Sequence, residues 1–266
     1  LLIVTPTLGV SPWLPETVAS VAAQAPGGRH RLVAPPNRVA ELAARFPATA
    51  VVAEPGGGMY AAINAGLAVA GEWGAFTYLN DDDVLLPNFS AVVRAATGAG
   101  GREAIAYGRV KLIDGRGQRL GAIPVSPAPS LNRALYAQRL EPVYQHGTVV
   151  TRAAFERLGG FDAALRFCGD SEYLARACVN GIPFVRAGGR EVAAFRLHGG
   201  QLTKQRAAML AERARVDAQL GLLVAPRTWR HRWARLVFRA ANLPVYLERV
   251  GRHGWMSFDQ QLERAG

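Results

Sequence analysis

Through its first hundred residues the chain alternates short apolar runs with helical patterns, and this alternation constrains the fold more than any other feature. Leu2-Ile3-Val4 is a β-rich run, stopped by Thr5-Pro6-Thr7. A helix is expected over 15–24, with Pro15 in its first turn. Arg31-Leu32-Val33, Ala50-Val51-Val52 and Ala75-Phe76-Thr77-Tyr78-Leu79 read as three further strands. Between them the pattern predicts helices over 38–46, with Asn37 as a candidate cap, and from Met59 to Ala70. Strands separated by helices build a mostly parallel sheet. Such sheets bind ligands at the carboxyl ends of their strands. Thr5-Pro6-Thr7, Glu54 and Asp81 to Asp83 all fall at those ends, so one sheet edge gathers them. The fold class expected is α/β: a Rossmann-like, mostly parallel central sheet flanked by helices, with a C-terminal helical extension. After about residue 100 a hairpin is expected from 104–112 and 118–123, then a Pro/Ser linker over 125–130. Further helices are expected near 152–158, 171–179, 204–219 and 227–240. The 266 residues suit one large domain with a modest appendage.

The fourth strand runs directly into Asn80-Asp81-Asp82-Asp83. Acidic residues are scarce in this chain, which carries 31 Lys and Arg against 20 Asp and Glu, a formal charge of +11. Adjacent carboxylates raise one another's pKa unless a cation compensates. Hard oxygen ligands suit Mg²⁺ or Mn²⁺, and such an ion can bridge a diphosphate. A solvated acidic turn is the competing reading. Gly56-Gly57-Gly58 either lets backbone approach a ligand or forms a plain turn. No Gly-Lys-Ser/Thr follows it, so it is not a P-loop.

The stretch Glu54-Pro55-Gly56-Gly57-Gly58-Met59-Tyr60-Ala61-Ala62-Ile63-Asn64-Ala65-Gly66, followed by Ala70-Gly71 and Tyr78-Leu79-Asn80-Asp81-Asp82-Asp83, resembles the family 2 glycosyltransferases of the GT-A fold. Ile3-Val4-Thr5-Pro6-Thr7 and Val18 to Gln24 are similar to that family's first strand and helix. The resemblance implies an inverting transferase that uses a nucleotide-diphosphate sugar with Mn²⁺ or Mg²⁺. It implies Thr5, Pro6, Thr7, Glu54, Asn64, Asp81 and Asp82 near the nucleotide. It puts Asp81 and Asp83 at the two acidic positions of the DxD motif, with Asp82-Asp83 as the other register. The match departs at Val33-Ala34-Pro35-Pro36-Asn37, where the family carries an acidic turn that reads the base. It departs again at Gly56, Ala61 and Gly169. It therefore speaks to the reaction more than to the base or sugar.

Gln145-His146-Gly147-Thr148, Phe155 to Asp162 and Gly169-Asp170-Ser171-Glu172-Tyr173-Leu174-Ala175-Arg176 look like the acceptor-side motifs of the same family. The resemblance makes Asp170 the general base and sets Gln145 and His146 at the acceptor. Inverting transfer needs one carboxylate to take a proton from the attacking hydroxyl. Read without the family, Asp170 is equally a cap for the helix over 171–179. Phe195-Arg196-Leu197-His198 is similar to the segment that follows the last core strand, and implies His198 as a third metal ligand. Cys168 and Cys178 form no disulfide framework or metal motif and read as small buried hydrophobes. The match runs over about 1–220, divided into a nucleotide-binding half over about 1–100 and an acceptor-binding half over 101–220. Residues 221–266 form a basic helical extension.

Charge is distributed unevenly: net −2 over 1–100, +6 over 101–200 and +7 over 201–266. An acidic first third does not suit a nucleic-acid coat, so no nucleic-acid partner is expected. Residues 226–253 alone hold Arg227, Arg230, Arg232, Arg235, Arg239, Arg249 and Arg252 against Glu248. On a helix Arg232, Arg235 and Arg239 share one face, and Trp229, Trp233, Leu236 and Ala240 another. This pattern suits an anionic membrane surface. It equally suits a helix that docks its Trp side on the domain. Leu243-Pro244-Val245-Tyr246 is expected to end the helix and lead into a polar tail. No basic n-region opens the chain and no 18-residue apolar run is free of charges and breakers. The expectation is a cytoplasmic protein, peripheral on the inner face of the membrane, acting on a glycan or lipid-linked acceptor. An inactive relative and a purely basic binding protein are the competing classes.

Overall fold

The computed structural model describes residues 1–199, 205–222 and 228–254. Its first half is built from β1 (Leu2–Pro6), α1 (Leu14–Gln24), β2 (Arg29–Ala34), α2 (Val39–Arg45), β3 (Ala50–Ala53), α3 (Met59–Ala68) and β4 (Ala75–Tyr78). These strands are parallel in the order β3-β2-β1-β4, with Leu2 in register with both Arg29 and Phe76. Every residue of β1 is buried, because helices cover both faces of a sheet wound in this way. All four expected strands and the three helices between them are present. Asn37 does not cap α2; it lies in a 3₁₀ turn over Pro36–Arg38.

The second half extends the same sheet with mixed polarity. It contains β5 (Val84–Leu85), α4 (Phe89–Thr97), β6 (Ile105–Asp114), β7 (Arg119–Ala122), α5 (Asn132–Tyr136), β8 (Thr148–Thr151), α6 (Arg152–Leu158), α7 (Gly169–Val179) and β9 (Phe184–Leu197). β8 lies antiparallel between β4 and β6, β9 runs parallel to β6, and β5 closes the far edge against β9. The hairpin around Asp114 to Gly117 is β6–β7. The long strands β6 and β9 end together at Asp114 and Leu197. Their carboxyl ends thus meet the turn that follows β4.

Close approach fixes the helix over the parallel half. A Cβ at Gly66 would stand 2.8 Å from side-chain atoms of both Val4 and Val33, so α3 lies directly on β1 and β2. Beyond it, Phe161 stacks on Tyr173 at 4.4 Å and meets Tyr78 edge-on at 5.4 Å. This aromatic wedge joins α3, the turn before α7 and the sheet.

The chain continues through α8 (Arg206–Gln219), α9 (Trp229–Ala241) and α10 (Leu243–His253). Two expectations for this region change. Leu243-Pro244 does not lead into a polar tail but opens α10, with proline in the first turn where its missing N–H costs nothing. α9 docks, but not through its tryptophans: Ala234 and Phe238 pack against Leu135 of α5. Asn242, buried between the two helices, donates to Val125 O (2.9 Å) and Phe238 O (2.8 Å) and accepts from Val125 N (3.2 Å). The expected positions at 200–204, 227 and 255–266 lie outside the described residues. Among the described residues no helix is long and apolar enough to cross a membrane.

Gly66→Ala should push α3 off β1–β2. A loss of about 1–3 kcal/mol in urea unfolding is expected for overpacking of this kind; unchanged stability would show that the interface can give.

Candidate functional site

The acidic turn after β4 is held from three sides, and its carboxylates fan out. Thr7, buried at the end of β1, donates its hydroxyl to Asp81 Oδ2, and Ser11 donates to the Asp81 carbonyl at 2.9 Å. Burial, reinforced by Asp82 and Asp83, pushes the Asp81 carboxyl up to about 6, against the stabilising Thr7 bond. Asp82 Oδ2 lies 2.8 Å from His198 Nε2, just past β9. Asp83 is wholly buried: Oδ1 accepts from the Arg196 backbone N–H at 2.9 Å and Oδ2 from Asn80 at 3.2 Å. His146 Nε2 also stands 3.2 Å from Asp83 Oδ2, a charge contact. Burial raises the Asp83 carboxyl. For His146 burial, the largest single influence, opposes the charge, but Asp83, Asp170 and Asp82 together outweigh it and the imidazole is raised.

Arg196 organises this cluster. It is 1% exposed, yet its guanidinium donates to the carbonyls of Asp82 (2.8 Å) and Asp114 (3.2 Å) and to the Glu16 carboxylate (2.6 Å). Trp13 covers it at 5.5 Å, tilts against His198 at 4.4 Å and donates to Gly115 O at 2.9 Å. Neither Arg196 nor Trp13 was singled out from sequence. The only signal was the position of Arg196 two residues before His198.

Asp170 occupies the first turn of α7 and is not its cap; that place belongs to Cys168, which makes no side-chain cap bond. Tyr60 donates its hydroxyl to Asp170 Oδ1 at 3.2 Å. Burial and the nearby Glu141 carboxylate raise the Asp170 pKa, opposed by the Ser171 backbone N–H, His146 and Tyr60. Gly169 explains one departure from the expected motif: a Cβ there would meet the Tyr60 ring at 2.5 Å, so a side chain at 169 would expel the tyrosine that holds Asp170. The turn before α7 hangs on buried Glu212 of α8, which accepts from the backbone N–H groups of Arg166 (2.9 Å), Phe167 (2.7 Å) and Cys168 (2.7 Å). Glu141 accepts from both Ser171 and Arg213. Tyr60, Glu141, Glu212 and Arg213 are supports that sequence reasoning missed, since long-range partners leave no local pattern.

Other expected site residues are employed elsewhere. Asn64 donates to Phe161 O (2.7 Å) and accepts from Phe161 N (2.9 Å), clamping the Gly160-Phe161 turn onto α3. The Thr5 hydroxyl meets His30 Nε2 at 3.0 Å, and burial lowers that imidazole to about 4. Pro6 is buried within β1. Glu54 is half-buried past β3, its backbone N–H bonded to Ala34 O at 2.8 Å. Gln145 is buried, and neither of its amide atoms has a partner among the described residues. Gly56, Gly57 and Gly58 all take left-handed φ of 81–92°, Gly56 and Gly58 in open space and Gly57 where a Cβ would stand 3.3 Å from that of Ala61; backbone conformation demands glycine at all three. Cys168 is buried and its thiol is pushed up to about 12 by that burial, in keeping with an inert packing role.

The metal set expected from Asp81, Asp83 and His198 is not assembled. Asp81 turns to Thr7, Asp83 is buried with its oxygens engaged, and His198 pairs with Asp82 instead. Among the described residues no three His, Cys, Asp or Glu side chains are grouped to hold an ion. As placed, these carboxylates do not fit a resident cation.

No protein-family profile and no curated protein sequence matches the chain. Solved structures do. Staphylococcus aureus TarS aligns with a TM-score of 0.61 at 13% identity, over 97% of this chain and 44% of that one. Residues 1–349 of TarS in complex with UDP-GlcNAc align at 0.63 with 12% identity, over 99% and 78%. The UDP complex aligns at 0.59 with 15% identity, over 94% and 79%. At these identities the likeness establishes the fold: a curled α/β sheet flanked by helices. The chain spans less than half the length of the longer TarS chain.

The raised carboxyl of Asp81 makes a signed prediction. The folded state holds a proton that the unfolded state releases near pH 4, so stability falls as pH rises from about 4 to 6. Asp81→Asn keeps an acceptor for Thr7 and removes that penalty. It should stabilise the protein above pH 6, by at most about 3 kcal/mol, and leave it unchanged at pH 4. Equal unfolding temperatures for the two proteins at pH 7 would refute the burial argument.

Proposed function

We propose that this chain is an inverting glycosyltransferase that moves a sugar from a nucleotide-diphosphate donor to a hydroxyl of a glycan or glycolipid, with Asp170 as the general base. The observation that carries the reading is Asp170 itself: a desolvated carboxylate of raised pKa, gripped by Tyr60. It belongs to a fold shared with a protein crystallised with UDP-GlcNAc and with UDP. Burial makes a carboxylate a stronger base, which suits it to a hydroxyl proton.

In this reading the acceptor O–H gives its proton to Asp170 as its oxygen bonds to the anomeric carbon. The bond from that carbon to the diphosphate breaks on the opposite face, and the electron pair leaves with the nucleotide. Tyr60 and the Ser171 N–H steady the carboxylate before transfer. Thr7, Asp81 and the Asp82–His198 pair line the donor side. Mn²⁺ or Mg²⁺ bound to the diphosphate would offset the charge of the leaving group; among the described residues no set of three ligands is grouped for it. We place the enzyme on the cytoplasmic face of the membrane, where lipid-linked acceptors are presented.

Asp170→Asn should cut turnover by about 10²–10⁴-fold with whichever of a panel of UDP-, GDP-, CMP- and dTDP-sugars shifts the unfolding temperature. Near-normal turnover would sink the assignment. Tyr60→Phe removes a donor to the charged carboxylate, so the Asp170 pKa rises and the acidic limb of the kcat profile moves to higher pH. A limb that stays in place, or moves down, would separate Tyr60 from the base.

A further inference from the structure

α9 and α10 turn an apolar stripe outward. Trp229, Trp233, Leu236, Leu243 and Leu247 are 53–73% exposed, although the same helices bury Ala234, Phe238 and Val245, and their junction buries Asn242, against the rest of the chain. The spacing of the exposed positions, four, three, seven and four residues, keeps each helix's set on one side. The stripe is therefore not the residue of a badly packed helix: each helix has a docked face and a second apolar face that the described residues leave more than half exposed. Five large side chains in succession exceed the scattered exposure that a protein surface ordinarily carries.

Charge decides what covers them. Arg230, Arg232, Arg239 and Arg252 are exposed on the same two helices. The one acidic residue there, Glu248, is bound to Arg119 at 2.6 Å and to Arg252 at 3.1 Å. A second copy of this chain would bring arginine rims together on a protein already at +11, and like charges oppose that contact. An anionic lipid surface satisfies both parts. Tryptophan and leucine enter the boundary between headgroups and acyl chains, and arginines meet the phosphates. Asn242 pins the junction of the helices to Val125, so the stripe is presented on a fixed support. We infer that the outer face of α9–α10 is a docking surface for an anionic phospholipid bilayer, with Trp229, Trp233, Leu236, Leu243 and Leu247 inserted and the arginines at headgroup level.

The test is co-sedimentation of the full chain with vesicles of phosphatidylcholine, alone and mixed with phosphatidylglycerol, at low and high salt. Binding is expected only to the mixed vesicles and should weaken with salt. Arg232→Gln and Arg239→Gln should each weaken it about fivefold. Trp229→Ser with Trp233→Ser should abolish it, with the unfolding temperature little changed because both residues are already more than half exposed. In the unaltered protein, brominated acyl chains should quench tryptophan fluorescence, a readout that needs no variant. Equal binding to neutral vesicles, binding indifferent to the tryptophan pair, or absence of quenching would each overturn the proposal. So would failure to bind vesicles together with a concentration-dependent dimer that the tryptophan variants dissolve, which would assign the face to a second copy.

Discussion

A buried guanidinium holds the site together. Arg196 sits in an almost dry position, a place where a charge survives only if its donors are matched. Its partners come from α1, from the turn after β4 and from the end of β6, while its own backbone N–H secures Asp83. Planar, multiply donating geometry is what lets one side chain satisfy carbonyls and a carboxylate on three separate elements. The acidic turn is rigid because of this residue. Its three carboxylates cannot collapse onto one another, and each is left with a different partner.

The rest of the architecture brings a second carboxylate opposite that turn. The parallel half supplies strand ends, and the mixed half supplies α7. Between them, Tyr60, Phe161 and Tyr173 form an aromatic joint, with Tyr60 stacked on Phe161 at 5.9 Å. Asn64 locks the backbone of that joint. Asn64 thus acts through geometry: its amide bonds the chain itself, and what it places is Phe161 and the turn that leads to Asp170. His146 is the electrostatic link, since both Asp83 and Asp170 act on its charge.

Much of the architecture was legible in sequence because periodicity is a local property. Four strands, the β6–β7 hairpin and the helices near 152–158, 171–179, 204–219 and 227–240 could be read from apolar spacing and turn residues. The strand-end rule also located Thr7 and the acidic turn. What sequence did not reveal has one physical cause: it depends on which distant groups meet. Nothing local distinguishes Glu212 from any helical glutamate, or tells that Asp83 faces inward while Asp82 faces His198. The tail shows the same limit. Amphipathic spacing announced two faces on α9, but only the packing of Phe238 on Leu135 shows which one is docked.

Glu212 has a consequence for the order in which the protein is made. The three backbone N–H groups it accepts belong to the turn that launches α7, more than forty residues earlier in the chain. During synthesis those donors leave the ribosome well before their acceptor. Until α8 emerges and swings back, those three donors have only water to bond. The sheet can be complete while the turn into α7 still waits for its acceptor, which comes from a helix far along the chain.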